Sequence, residues 1–151
     1  RLRRYFGYVP QISGLARKKT IGESLVDIAI PRLTGPPVIE RVQNTLKLVG
    51  LSGAETMYPV QLSHADCRWA ELACALINNP PVLVIDELTE NLDGDTIWDM
   101  VHLLDEINRM GTTVIMATHA KRFVNILRKR VITMVDGRIW GDVPQGRFGD
   151  I

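Results

Sequence analysis

Residues 80–93 read Pro80-Pro81-Val82-Leu83-Val84-Ile85-Asp86-Glu87-Leu88-Thr89-Glu90-Asn91-Leu92-Asp93, and this stretch decides how the rest of the chain is interpreted. Its two prolines cannot continue a helix, and the four apolar residues after them are rich in β-branched side chains. The pattern predicts a strand that is buried on both faces. Asp86 and Glu87 end this strand, which is where open α/β sheets bind ligands. An acid in this position can also simply cap the next helix, so the stretch alone leaves a structural and a chemical interpretation open.

Composition sets limits on the class of protein. A chain of 151 residues is long enough for one domain with a hydrophobic core. Its formal net charge of +1 provides no general attraction for nucleic acid, and we expect no nucleic-acid partner. No signal peptide is recognisable, and no apolar run reaches the roughly 20 residues of a membrane-spanning helix. Cys67 and Cys74 are expected on one helix about 10 Å apart, beyond disulfide reach, which is typical of reduced thiols in a cytoplasmic protein.

The remaining segments alternate between strand and helix patterns. Strands are predicted at residues 5–9 and 112–117, and a hairpin is predicted around Asp136-Gly137. Caps and apolar spacing predict helices at about 21–30, 38–49, 64–79, 94–110 and 120–129. This order predicts an α/β fold in which a parallel sheet has flanking helices, with a small helical insertion at residues 12–59 and a C-terminal β-hairpin. Three aromatic residues near the first strand, Tyr5, Phe6 and Tyr8, are expected in the core.

Five short signals occur in a fixed order along the chain: Gln11 just after a strand, Leu62-Ser63 opening a helix, Asp86-Glu87, Asn91-Leu92-Asp93, and Thr118-His119 ending a strand. Together they resemble the nucleotide-binding domains of ABC-type ATPases, which have a P-loop NTPase-like fold. The resemblance extends over essentially all 151 residues. Residues 86–93 are similar to the D-E-P-T-G-N-L-D of one branch of this family, and residues 107–138 look most like its cell-division ATPases of the FtsE type.

The resemblance implies a role for each matching position. Asp86 would hold Mg²⁺ through its water shell, Glu87 would polarise the attacking water, and His119 would contact the γ-phosphate. Gln11 would contact the metal and report to a membrane partner. Ser63 and Ala65 lie at the position of the family signature, and Asp93 matches the D-loop. Glu87 and His119 are thus the candidate catalytic residues, Asp86 and Gln11 the candidate metal ligands, and the cofactor-binding candidates are Gln11, Ser63, Ala65 and Asp93.

The family also implies cofactors and partners. These are ATP and Mg²⁺, a second copy of the chain in a head-to-tail homodimer, and an integral membrane protein of the FtsX type at the cytoplasmic face of the membrane. In this interpretation residues 12–79 contain the Q-loop, the helical subdomain and the signature helix. Residues 80–151 contain the Walker B strand, the D-loop, the H-loop and the hairpin.

The sequence departs from the family pattern at several places. It contains no G-x-x-x-x-G-K-[ST] phosphate-binding loop and begins at Arg1, so we expect this loop to lie upstream and the chain to bind ATP weakly at best. His64 and Ala65 replace the two signature glycines, whose missing Cβ atoms let backbone amides approach a phosphate. Leu88 and Glu90 replace the proline and glycine that follow the family's acid pair.

Alternatives stay open at this point. The chain could be a non-catalytic domain that docks on a membrane protein, or it could belong to a related lipoprotein- or macrolide-export ATPase. Considered alone, His119 could be a structural histidine and Asp93 only a helix N-cap, and capping is compatible with a D-loop role. His64 and His102 are expected to be solvated.

Overall fold

The computed structural model describes residues 5–151, which form two compact units. The first unit ends at Ala117, and the second comprises Thr118–Ile151. The division follows the third parallel strand, and each unit is described by itself below.

The first unit contains a parallel sheet of three strands. They are β1 (Phe6–Val9), β2 (Val82–Asp86) and β3 (Thr113–Ala117), with β2 in the centre. Val9 pairs with Ile85, and Asp86 pairs with Ala117. This register brings the carboxyl ends of all three strands to one edge of the sheet, as the sequence predicted.

Four α-helices accompany the sheet: α1 (Ile21–Ile28), α2 (Val38–Leu48), α3 (His64–Leu76) and α4 (Gly94–Arg109). Two short 3₁₀ turns, Ala54–Thr56 and Pro59–Gln61, connect α2 to α3. Helix α1 ends two residues earlier than predicted, because Ala29 adopts an extended ψ of 121°. Pro31 disfavours helical backbone at the residue before it, which agrees with this early end.

Three helices begin at the caps that the sequence indicated. The side chains of Thr20, Ser63 and Asp93 accept hydrogen bonds from backbone amides three residues later, at 3.1, 3.1 and 3.3 Å. Each bond satisfies one of the amides that a helix start leaves unpaired.

Two clusters of buried side chains stabilise the first unit. One joins α1, α2 and α3 and includes Ile21, Leu25, Val42, Leu46 and Ala73. The other lies between the sheet and helices α3 and α4 and includes Val9, Leu72, Leu83, Ile85 and Met100. Trp69 packs against both clusters, so α3 links the helical part of the unit to the sheet.

Two expectations about burial are wrong. Leu83 and Ile85 are fully buried, but Val82, Val84 and Asp86 are only partly buried, so β2 has one fully covered face. The aromatic side chains expected in the core are exposed, with Tyr5 at 57%, Phe6 at 49% and Tyr8 at 58%. Within β1, Phe6 and Tyr8 alternate with Gly7 and Val9, and the side of the strand that carries Val9 is the buried one.

The second unit contains α5 (Lys121–Leu127) and the antiparallel pair β4 (Val131–Val135) and β5 (Arg138–Val143). Asp136 and Gly137 both have positive φ, at 48° and 74°, as a tight hairpin turn requires. The predicted hairpin is therefore confirmed. Helix α5 is shorter than predicted because Arg128 adopts a left-handed conformation with φ of 52°, which ends it. Among the described residues, no helix combines the length and apolar character that crossing a membrane requires.

Candidate functional site

The candidate site of the first unit lies where β1 and β2 end. Gln11 follows β1 by two residues, and Asp86 is the last residue of β2. Because neighbouring parallel strands end at the same edge, the sheet brings these two segments together. Asp86 is half-buried and Gln11 is exposed.

Glu87 has an unusual backbone conformation. Its φ is +48°, a left-handed value that costs about 1 kcal/mol or more for a residue with a Cβ. Its N–H donates to Ala117 O at 2.9 Å, which extends the pairing of β2 with β3 by one residue. Its side-chain Oε1 accepts a hydrogen bond from Thr89 Oγ1 at 2.6 Å. Glu87 is only 7% exposed, so these bonds hold a carboxylate in a fixed place at the sheet edge.

Gln11 is held by a residue that departs from the family pattern. Its Nε2 donates to the Glu90 carboxylate at 3.0 Å. The contact uses the amide nitrogen and not the amide oxygen, which is the atom that could bind a metal. The ring Nε2 of His64 lies 3.4 Å from the Glu90 carbonyl oxygen. Glu90 therefore connects the segment after β1 with the start of α3.

The signature position is a helix start. The Ser63 hydroxyl accepts from Asp66 N, so it caps α3, and Ala65 lies in the first turn of that helix. His64 and Ser63 are exposed, and Ala65 is half-buried. The family resemblance predicts glycines at positions 64 and 65, and this chain has the side chains of His64 and Ala65 there.

Asp93 caps α4 and is exposed. A hydrogen bond from the Thr96 hydroxyl, followed by one from the Thr96 backbone N–H, lowers the pKa of the Asp93 carboxyl. The capping interpretation of Asp93 is therefore confirmed, and its D-loop role stays a prediction.

His119 lies in the second unit, two residues after the end of β3, and is exposed. The neighbouring Thr118 hydroxyl accepts from Ala120 N at 3.0 Å, which shapes the start of α5. The other candidate residues all belong to the first unit: Gln11, Ser63, Ala65, Asp86, Glu87 and Asp93.

The side-chain oxygens at the sheet edge would provide only part of the coordination shell of a magnesium ion. In the part of the chain that the structure describes, no three His, Cys, Asp or Glu side chains group closely enough to hold a metal ion. Mg²⁺ usually keeps several waters and takes only one or two protein ligands besides phosphate oxygens. The carboxylate of Asp86 and the amide oxygen of Gln11 fit that pattern.

Arg68 and Glu71 are site residues that the sequence reasoning missed. Both lie on α3 with only 4% of each side chain exposed, and they form a salt bridge. Arg68 Nη1 also donates to Pro10 O at 2.9 Å, and its Nη2 donates to Glu87 O at 3.4 Å. The sequence pattern that could have identified them is a pair of opposite charges three residues apart. Both residues lie on the side of α3 that carries its apolar residues.

Comparison with protein families gives a match to the ABC transporter family over residues 1–90. Among curated proteins, the cell division ATP-binding protein FtsE of Bacillus subtilis is 41% identical over 150 residues. FtsE of Streptococcus pneumoniae D39 is 40% identical over 149 residues, and FtsE of Escherichia coli K12 is 34% identical over 143. These alignments cover 98%, 98% and 94% of this chain. The chain spans about 65% of the length of these relatives.

Comparison with solved structures also gives matches among ATP-binding cassettes. A dimeric post-hydrolysis state of the ATP-binding cassette MJ0796, bound to ADP and Pi, matches with a TM-score of 0.82 and 28% identity. The alignment covers 97% of this chain and 66% of that one. A second dimeric structure of MJ0796, described as a bacterial ABC transporter cassette, matches with a TM-score of 0.80. The α/β arrangement of parallel sheet, flanking helices and C-terminal hairpin is thus that of the ABC ATPase cassette, and the chain belongs to the ABC transporter family.

Proposed function

We propose that the chain is part of an ATP-hydrolysing subunit that works in cell division, in the manner of FtsE. The observation that carries the proposal is the sheet edge, where Asp86 ends β2, Glu87 follows it, and Gln11 follows the neighbouring parallel strand β1. The similarity to FtsE over 98% of the chain supports the cell-division assignment.

Each residue of the sheet edge has its own role in the proposed reaction. When bound, MgATP supplies the phosphoryl group and the positive charge that neutralises it. Asp86 and the Gln11 amide oxygen would hold the metal, directly or through water. The Glu87 carboxylate would orient and polarise the attacking water, and the hydrogen bond from Thr89 keeps one of its oxygens in place.

The remaining candidate residues would act in a head-to-tail homodimer. His119 would contact the γ-phosphate, while Ser63, Ala65 and Asp93 would face the nucleotide bound by the second copy. The dimeric cassette with ADP and Pi supports this arrangement, because its fold matches this chain. The Cβ atoms of His64 and Ala65 crowd the approach of a phosphate to the start of α3, so the contact in trans is weakened.

A membrane protein of the FtsX type is the proposed partner, which places the subunit at the cytoplasmic face of the membrane. A cleft of about 300 Å³ supports a docking site beside the segment that follows β1. It is lined mostly by apolar residues, among them Tyr8, Pro10, Leu15 and Ile28. We further propose that residues 12–79 are the part that contacts the partner and that residues 80–151 carry most of the chemistry.

Substituting Glu87→Gln in the protein that carries this sequence tests the role of Glu87. The amide keeps the size of the side chain but cannot accept a proton, so ATP turnover should fall at least about 100-fold while ATP binding is retained. Steady-state kinetics and equilibrium binding measure the two effects. Glu40→Gln, an exposed change on α2, serves as the control and should leave turnover unchanged. Normal turnover by Glu87→Gln would remove Glu87 from the mechanism.

A second candidate function is a non-catalytic domain that binds the membrane partner without hydrolysing ATP. Two features favour it: side chains replace the signature glycines, and Glu90 holds Gln11. Titration of the protein that carries this sequence with labelled ATP and Mg²⁺ should then show no saturable binding. Tight, saturable binding would eliminate this candidate.

A further inference from the structure

Arg68 is a fully buried cation in the middle of the first unit. Only 3% of the residue is exposed, and burial of a charge is costly unless it is paired and hydrogen-bonded. Glu71, one turn later on α3, provides the paired charge. This salt bridge compensates the charge but does not use all five N–H donors of the guanidinium.

The other donors of Arg68 reach two backbone carbonyls from distant parts of the chain. Pro10 O, at 2.9 Å from Nη1, belongs to the residue directly before Gln11. Glu87 O, at 3.4 Å from Nη2, belongs to the residue whose backbone is in the left-handed region. One side chain of α3 thus contacts the segment after β1 and the segment after β2.

We propose that Arg68 is a positioning residue that fixes Gln11 and Glu87 relative to each other and to α3. The proposal rests on the proposed function, because it assigns Arg68 to the placement of the metal ligand and the water-polarising carboxylate. The geometry needs the planar fork of a guanidinium, which holds several acceptors at fixed angles. The single ammonium of a lysine can keep the charge pair with Glu71 but cannot span both carbonyls.

Arg41 provides a matched comparison within the same unit. It is also buried, with 7% exposure, and it also donates to backbone carbonyls: Ile30 O at 2.7 Å and Ile77 O at 2.9 Å. Within the described part of the chain, its acceptors lie on Ile30, Ile77 and Asn78, and none of these is at the sheet edge. Loss of Arg41 therefore reports the general effect of removing a buried arginine, without the effect on Gln11 and Glu87.

The test is NMR spectroscopy of the protein that carries this sequence, as wild type, Arg68→Met, Arg68→Lys and Arg41→Met. Backbone ¹³C shifts report the φ and ψ of Glu87, and amide exchange reports opening of its hydrogen bond to Ala117. We expect both Arg68 variants to move the signals of Gln11 and Glu87. After correction for each variant's global stability, Glu87 N–H exchange should accelerate about tenfold or more in both, and less than about twofold in Arg41→Met.

The proposal is overturned if Glu87 and Gln11 keep their wild-type signals in Arg68→Lys, or if Arg41→Met perturbs them equally. Arg68→Met can fail to fold because it leaves Glu71 buried and unpaired, and Arg68→Lys then decides the question alone. No nucleotide is needed, so the result is separate from the test of Glu87→Gln. Loss of the proposed function would show in that turnover assay, and loss of the positioning role would show in these spectra.

Discussion

At the scale of single residues, the first unit keeps several ionisable side chains in unusual surroundings. Glu87 combines burial, a left-handed φ and a hydrogen bond from Thr89. A strained backbone of this kind persists only where neighbouring groups determine it, and such positions cluster at functional sites. The conformation of Glu87 therefore supports a functional reason for its placement at the end of β2.

The thiol of Cys74 gives a prediction at this scale. Burial, followed by the nearby Glu71 carboxylate, raises the pKa of Cys74 to about 12. Burial also raises the pKa of Cys67. Because only the thiolate reacts with iodoacetamide, we expect Cys74 to be alkylated at pH 8 at least about 100-fold more slowly in the folded chain than in urea. Mass spectrometry of timed samples measures the rate at each cysteine.

A thiol at position 74 that reacts at the same rate in the folded and unfolded chain would contradict this description of its environment. A Cys67→Ser variant removes the second thiol and simplifies the measurement.

At the scale of elements, the close packing of β1 on α3 depends on Gly7. A Cβ at this position would lie 2.4 Å from Ala75 O and 2.9 Å from Pro80 Cγ. The backbone of α3 would have to move, so we expect Gly7→Ala to lower the free energy of unfolding by about 1–3 kcal/mol. Gly14→Ala is the matched control, because in residues 5–151 the nearest atom to its Cβ outside the adjoining residues is Pro10 Cγ, at 3.8 Å. Urea denaturation measures both, and equal stability of the two variants would show that β1 and α3 are not in close contact.

The start of α4 gives a pH-dependent prediction. The folded state lowers the pKa of Asp93 through its bonds with Thr96, so the stabilisation is present above the unfolded pKa of about 3.9 and is lost as pH falls through the lower folded value. Asn is also a good N-cap but does not titrate. We therefore expect the melting temperature of wild type to fall more steeply below about pH 4 than that of Asp93→Asn.

Thermal unfolding followed by circular dichroism at a series of pH values measures this difference. Identical acid profiles of the two proteins would show that the carboxylate of Asp93 does not stabilise α4 through its charge. A parallel profile of Asp99→Asn, an exposed change in the middle of the same helix, controls for the general loss of a negative charge.

At the scale of the whole molecule, local patterns in the sequence predicted most of the elements. Proline and glycine stops, caps and apolar spacing located the parallel strands, the helices and the hairpin, because these signals act between near neighbours in the chain. The same signals predicted that Asp86 ends a strand and that Gln11 follows one, but they did not predict that these two strands are neighbours. The positions of helix ends were predicted less accurately, as the early ends of α1 and α5 illustrate.

Contacts between distant residues could not be predicted in this way. The bond from Gln11 to Glu90 spans 79 positions, and the bond from Arg68 to Pro10 spans 58. No local pattern specifies either partner. The exposure of Tyr8 was also missed, because it depends on which face of β1 is covered by other elements. The sequence thus predicted which motif residues belong to the candidate site. It did not predict which other side chains hold those residues in place.

We propose that the sheet edge of the first unit is the metal side of a nucleotide site, and NMR spectroscopy with Mn²⁺ and ATP tests this assignment. Mn²⁺ replaces Mg²⁺ and broadens the NMR signals of nearby nuclei even when binding is weak. We predict that Mn²⁺ with ATP selectively broadens the amide signals of Gln11, Asp86 and Glu87, and that Asp86→Ala abolishes this effect. Broadening that leaves the signals of Gln11, Asp86 and Glu87 unaffected, or that persists unchanged in Asp86→Ala, would contradict this assignment.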